Sequence, residues 1–301
     1  MQETEGYTPL EEATIKLEEL RAGGSPRLIS NQIYLIARFK TNESAEVIQE
    51  IMPSLEGTLY LRAIDALGLN GSEGAIEILE DLSKNRKDLR RQRRAILALS
   101  NIGERGLTFL RDKRLKYESD LNTRAYILEK LLEHEATNLS KHLIVAAKSK
   151  NTIYSGIGLK GIGQLKLKNG LKYLLEATKE ADVQLRKTAF QSLAQYGSKR
   201  AFNTILEGLE APINIIIQPE LSAALQHAKE TKEIEALIEY CYRGDNPEIV
   251  VMCVKALSVS SQYQPDFCAD SLGNLLKSKN EKVRSLAIEG LVAIKPDWLK
   301  G

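Results

Sequence analysis

The stretch Lys282-Val-Arg-Ser-Leu-Ala-Ile-Glu-Gly-Leu291 decides how the chain is read. Val283, Ala287, Gly290 and Leu291 fall at offsets 0, 4, 7 and 8, so two large and two small residues share one face of a helix. Such a face invites a second helix to approach closely. The pattern returns about every 32 residues, with the large closing residue at Leu35, Leu67, Leu99, Leu131, Ile162, Leu193, Leu225, Leu257 and Leu291. Four residues before these stand Asn31, Ala63, Ala95, Ile127, Gly158, Ala189, Leu221, Cys253 and Ala287, and directly before them Tyr34, Ala66, Ala98, Lys130, Gly161, Ser192, Ala224, Ala256 and Gly290. Most of these are small; Asn31, Lys130 and Leu221 break the rule in repeats one, four and seven.

A second helix announces itself about twelve residues on with Leu79, Leu143, Leu174, Ile205 and Leu237, or with Leu110 at eleven. Turn residues lie between the two helices: Asn70-Gly71, Gly103, Asn169-Gly170 and Gly197. Each unit is therefore a helical hairpin. One hairpin cannot bury its apolar face alone, so the units must stack on their neighbours. The expectation is an all-α fold, an α-solenoid of about nine hairpins. Residues 1–24 form an N-terminal tail and capping helix, with Leu10, Ala13, Leu17 and Leu20 on one face, and residues 25–301 form a single array.

With these residues in place the chain resembles the HEAT-repeat family over about residues 25 to 299. Val283 to Leu291 carry the resemblance most clearly, with Leu185, Arg186, Ala189, Ser192 and Leu193 as a second copy. Armadillo arrays would add a third short helix to each unit, and tetratricopeptide arrays a 34-residue period with Trp, Gly and Tyr signatures that are absent here. The resemblance implies that first helices form a convex surface, and that partners bind a concave one lined by second helices.

Composition agrees with a folded helical protein, at 43% hydrophobic residues with 8 Pro and 20 Gly. No apolar run approaches the roughly 18 residues of a spanning helix, since even Ile213 to Ile217 is broken by Asn214 and followed by Pro219. The start of the chain has no signal-peptide pattern, so a cytoplasmic location is expected; an exported domain lacking its signal peptide would read the same way. Cys241, Cys253 and Cys268 match neither a disulfide framework nor a metal motif and read as reduced, mostly buried thiols.

The net charge of +2 conceals a segregation: residues 1–83 carry −9, residues 84–172 carry +13 and residues 173–301 carry −2. Between Glu135 and Glu176 there is no acidic residue. The densest basic run, Lys84 to Arg94, falls at the start of a first helix, where cations oppose the helix dipole. Such a section suits an anionic partner, either an acidic protein surface or phosphate backbone. It could equally be a solvated face that meets the acidic first third. Tyr117, Tyr126, Tyr154 and Tyr173 are available for stacking, although tyrosines at this spacing also serve as rims of a core.

No chemistry is evident in the sequence. His134, His142 and His227 are scattered, and a Cys-His pair of His227 with Cys241 or Cys253 lacks an orienting third group. The glycines from Gly156 to Gly163 are packing positions of repeat five, not a dinucleotide loop, and are expected to make that unit the softest. HEAT-like DNA glycosylases, as the resemblance implies, use a basic groove with tryptophans and a catalytic Asp, but the sole Trp here is Trp298. For the phycobilin lyase-like arrays no functional residue matches.

The expected function is a non-enzymatic protein-binding scaffold that engages an acidic partner through the basic central section. Nucleic-acid binding by the same section is the alternative, and a glycosylase-like enzyme is the weakest reading. No cofactor or metal is expected, and the oligomeric state is open. Candidate contact residues are Arg91, Arg94, Arg111, Lys141, Lys148, Lys172 and Tyr173. Arg124, Arg186 and Arg284 are expected to be structural.

Overall fold

The computed structural model describes residues 7–294; the first six residues and Trp298 lie outside that range. The chain is an all-helical α-solenoid, with no strand among the described residues. It divides at Leu139/Ser140 into two compact units. The first unit carries α1 (Pro9–Gly23), α2 (Pro26–Ala37), α3 (Asn42–Ile51), α4 (Gly57–Asn70), α5 (Glu73–Lys84), α6 (Leu89–Asn101) and α7 (Glu104–Phe109). From α7 the chain passes through a π-helical turn, Leu110–Arg114, into α8 (Leu115–Tyr117) and then α9 (Leu121–Glu133). The second unit carries α10 (Ser140–Ala147), α11 (Thr152–Gln164), α12 (Leu171–Ala177), α13 (Val183–Tyr196), α14 (Lys199–Glu210), α15 (Gln218–Leu225), α16 (Thr231–Arg243), α17 (Pro247–Ser260), α18 (Pro265–Leu275) and α19 (Glu281–Ile294).

Helix ends follow the local chemistry. Thr8 closes a capping box with Glu11, and Ser25, Thr41, Ser72, Asp120, Asn151, Asp182 and Ser198 each accept a backbone N–H of the helix that they start. The basic start of α6 is relieved in the same way. Asp88 Oδ1 accepts from the N–H groups of Arg90 and Arg91, each at 3.0 Å, and so places a carboxylate where the dipole favours one. Gly71, at φ 65°, ends α4 in the left-handed conformation that side chains resist.

The core is the face predicted by the repeat. Leu67, Leu99, Leu131, Ile162, Leu193, Leu225, Leu257 and Leu291 are buried, as are the second-helix residues Leu79, Leu110, Leu143, Leu174, Ile205 and Leu237. In the opening motif Gly290 lies so close to α17 that a Cβ there would stand 2.6 Å from Ser258 Oγ. The small residue is therefore a requirement of packing.

Polar groups repeat the period across neighbouring hairpins. The buried Asn70 amide donates to Ala37 O and Thr41 O at 3.3 Å and to Ser44 Oγ at 2.8 Å, and Ser260 Oγ donates to Ala228 O at 2.9 Å. Arg186 and Arg284 are structural: Arg186 donates to the carbonyls of Glu180, Ala181 and Ile213, and Arg284 to those of Ser278 and Lys279.

Two irregular repeats differ from the expected register. Leu35 is 46% exposed and the first hairpin packs instead through Ile33, Ile36 and Ala37, because the apolar stripe of α2 runs Ile29, Ile33, Ile36. In repeat seven the first helix shrinks to α15, preceded by a 3-10 segment, Pro212–Ile217. Pro212 and Pro219 lack the N–H groups that a continuous helix needs there.

Candidate functional site

The basic residues singled out by sequence have different fates. In the first unit Arg91 lies over the Tyr60 ring at 3.6 Å and pairs with Asp88 at 3.0 Å. Arg94 forms a two-pronged ion pair with Asp65 of the preceding repeat, which also accepts from the Tyr34 hydroxyl; this raises the guanidinium pKa further. Arg111 is turned onto its neighbour Asp112 at 2.7 Å and reaches Thr137 O at 3.4 Å. These three charges are largely answered within the unit. The cavity of roughly 720 Å³ around Arg94, Asp65 and Tyr34 consequently offers little net positive charge.

In the second unit the structure brings together Lys148, Lys172 and Tyr173. The two ammonium groups stand 5.2 and 4.9 Å from the Tyr173 ring, and the Lys148 hydrogen bond, assisted by Lys172, draws the phenol pKa below its ordinary value. Lys148 and Tyr173 line a cavity of roughly 450 Å³, shared with Lys150 but also with Glu176, Glu180 and Asp182. Lys141, on α10, is exposed and apart from that cavity's lining.

A cleft in the first unit, which sequence spacing did not single out as a site, concentrates positive charge and aromatic surface. It measures roughly 420 Å³ and is lined by Glu80 and Lys84 of α5, Arg86 of the following turn, and Phe109, Lys113, Arg114 and Tyr117 of the next second helix. Four cations thus face one carboxylate and two aromatic rings. Glu80 and Lys84 are four apart on one helix face. Phe109, Lys113 and Tyr117 are also four apart, and the π-helical turn between them explains why they stay aligned. Residues spaced by four drift round an ordinary α-helix, and one wider turn counters the drift. Its signature is the Leu115 N–H bonded to Leu110 O, five residues back, with Leu110 and Leu115 both fully buried.

The floor of the cleft is charge-balanced and its mouth is not. Arg114 is buried, donates from Nε to Ser83 O at 3.0 Å and pairs with the buried Glu118, whose other oxygen accepts from Arg86 at 3.1 Å. Lys84 is half exposed and touches Asp81 at 2.9 Å, while Lys113 is exposed. Tyr117 is 72% exposed and carries the Lys116 ammonium 5.2 Å from its ring. Burial pushes the Glu80 carboxyl pKa up, with Asp81 and Glu77 adding to it and Lys113 and Lys84 opposing.

Covalent or metal chemistry finds no comparable cluster. Among the described residues no group of three or more His, Cys, Asp and Glu side chains could hold a metal ion. Cys253 and Cys268 are buried and Cys241 half-buried, all three as free thiols. Burial pushes the Cys268 thiol up to about 11, and a hydrogen bond with Cys241 together with burial raises that of Cys253, which leaves both poor nucleophiles. Among the described residues no helix is long and apolar enough to cross a membrane.

Neither a family model nor a curated protein matches the chain. Solved structures do. Human deoxyhypusine hydroxylase, solved with glycerol, aligns at 15% identity over 85% of this chain and 97% of its own, with a TM-score of 0.37. A designed armadillo repeat protein aligns at 16% identity over 94% of this chain and 99% of its own, with a TM-score of 0.22. Likeness at this level concerns helical-repeat architecture alone. It nevertheless corrects the expectation of a non-enzymatic scaffold. One of the matched helical-repeat chains is an enzyme, so absence of catalysis does not follow from this architecture.

Proposed function

We propose that the chain binds single-stranded nucleic acid, with the Phe109–Tyr117 cleft of the first unit as the principal contact. Tyr117 carries the reading: a tyrosine ring 72% exposed at the mouth of a cleft lined by four cations. An exposed ring beside cations is suited to stacking a base while its flanking phosphates are neutralised, a combination that tolerates any sequence. Lys113 leads the phosphate contacts, Lys84 and Arg86 add to it although Asp81 and Glu118 partly answer them, and Arg114 holds the floor. Lys148, Lys172 and Tyr173 form a second, smaller contact of the same type in the second unit. Arg91, Arg94 and Arg111 contribute less, because Asp88, Asp65 and Asp112 already answer them.

The repeats are read as HEAT-type, on Val283 to Leu291 and Leu185 to Leu193. Three free thiols fit a reducing compartment such as the cytoplasm. Titrating a labelled mixed-sequence oligonucleotide against the full chain tests the function. The Lys113→Glu variant should bind much more weakly than the wild type, and equal binding by the two would remove the cleft from the proposal.

A further inference from the structure

The residue four before the closing apolar residue of each first helix meets the second helix of the preceding hairpin, about twelve residues back along the chain. Gly158 shows how close the two come: a Cβ there would stand 2.4 Å from Ala147 N and 2.9 Å from Ala146 C, both in α10. The same step of twelve pairs Ala177 with Ala189, Leu209 with Leu221 and Leu275 with Ala287, and all six are buried. Between α16 and α17 this register brings together two cysteines, Cys241 and Cys253. Their sulfurs are hydrogen-bonded to each other, as the register requires.

The two sulfurs differ in access. Cys253 is fully buried, whereas Cys241 is half-buried, so a small oxidant reaches the pair through Cys241. Burial and the hydrogen bond hold Cys253 as a thiol, and its contact with Cys241 offsets the low nucleophilicity that follows. Cys268, on α18, is buried and is not at a position of this register that holds a second cysteine.

We propose that Cys241 and Cys253 form a redox-active dithiol, which a hydroperoxide oxidises to a disulfide between α16 and α17. The Cys241 sulfur attacks one peroxide oxygen, the O–O bond breaks, and water or an alcohol leaves, so that Cys241 becomes a sulfenic acid. The Cys253 sulfur then attacks the Cys241 sulfur, the S–O bond breaks, and the hydroxyl leaves as water with the Cys253 proton. The two sulfurs together lose two electrons, and the hydroperoxide takes them up. The new bond joins the second helix of one hairpin to the first helix of the next, and so locks a junction between successive repeats that packing alone holds in the reduced chain. It uses no residue of the Phe109–Tyr117 cleft and does not depend on strand binding.

Hydrogen peroxide added to the full chain, followed by alkylation in denaturant and tryptic mass mapping, tests this; cleavage after Arg243 separates the two cysteines. The peptides of Cys241 and Cys253 should be found joined, two hydrogens lighter than their sum, while Cys268 carries the alkyl group. Dithiothreitol should return all three free thiols. In Cys253→Ser a 1,3-dione should capture the sulfenic acid on Cys241, and in Cys241→Ser the thiol of Cys253 should stay unoxidised at the same exposure. Circular dichroism confirms folding of both variants. A wild type that stays unlinked, a link through Cys268, or oxidation of Cys253 in Cys241→Ser as fast as the wild-type link forms would overturn the proposal.

Discussion

Arg114, the last residue of the π-helical turn, and Glu118, four residues on, form a buried ion pair at the floor of a cleft whose mouth is lined by unburied cations. The pair separates the structural part of the site from its binding part. Removing one member of a buried pair leaves the other charge desolvated, a loss of about 3–5 kcal/mol. Glu118→Ala should therefore lower the unfolding free energy by about 3 kcal/mol in urea titration. Arg86→Ala, whose side chain is 61% exposed on the same carboxylate, should cost under about 1 kcal/mol.

The glycines of α11 are not equivalent. A Cβ on Gly158 would stand 2.4 Å from Ala147 N and 2.8 Å from Leu143 O, both backbone atoms of α10, whereas one on Gly156 would meet nothing within 4 Å. Gly158→Ala should destabilise by about 1–3 kcal/mol, as overpacking does. Gly156→Ala should stabilise by roughly 0.5–1 kcal/mol through helix propensity. Denaturant midpoints of the two variants should move in opposite directions.

Strand binding should strengthen as pH falls. The carboxyl of Glu80 has a folded-state pKa raised by burial, so it takes up its proton at a higher pH than a freely solvated carboxyl does and then removes the one negative charge of the cleft lining. The sign for stability is the same: a raised carboxyl pKa favours the fold at low pH, and that contribution is lost as pH rises through the folded pKa. Affinity measured from pH 7 to pH 5 should increase in the wild type. Glu80→Gln should bind more tightly at pH 7 and show less of the increase.

Arg186 should matter to the second unit out of proportion to its single charge. It makes four hydrogen bonds that tie residues 180–181 to 213–214, and only a planar fork can reach all four. Arg186→Lys should cost about 2–3 kcal/mol in unfolding free energy, given donors lost at a buried site. Hydrogen exchange should speed up at residues 210–218 before it does elsewhere in the unit.

How much of this was legible in the sequence depends on what each residue answers to. Leu79, Leu143 and Leu237 answer to their own helix face, and the 32-residue step places them in the core. Leu35 was misplaced because α2 offers consecutive apolar residues, Leu35, Ile36 and Ala37, and only packing chooses among them. Arg94 reads as a free cation because its partner, Asp65, lies 29 residues earlier, in another repeat. The cleft was the least legible feature. Tyr117 is among the possible stacking residues, but nothing in the 32-residue pattern marks the π-helical turn that aligns it with Phe109 and Lys113.

The most direct test of the account compares the affinity of wild type and Tyr117→Ala for a single-stranded oligonucleotide and for a duplex, across a range of salt. Stacking on an exposed ring contributes about 1–3 kcal/mol per base, and three phosphate contacts give a log–log salt slope of about −2 on a single strand. The wild type should prefer the single strand and show such a slope or a steeper one, and Tyr117→Ala should lose most of that preference while keeping the slope. Equal affinity for both forms of the ligand in wild type and variant, or no binding at low salt, would overturn the account.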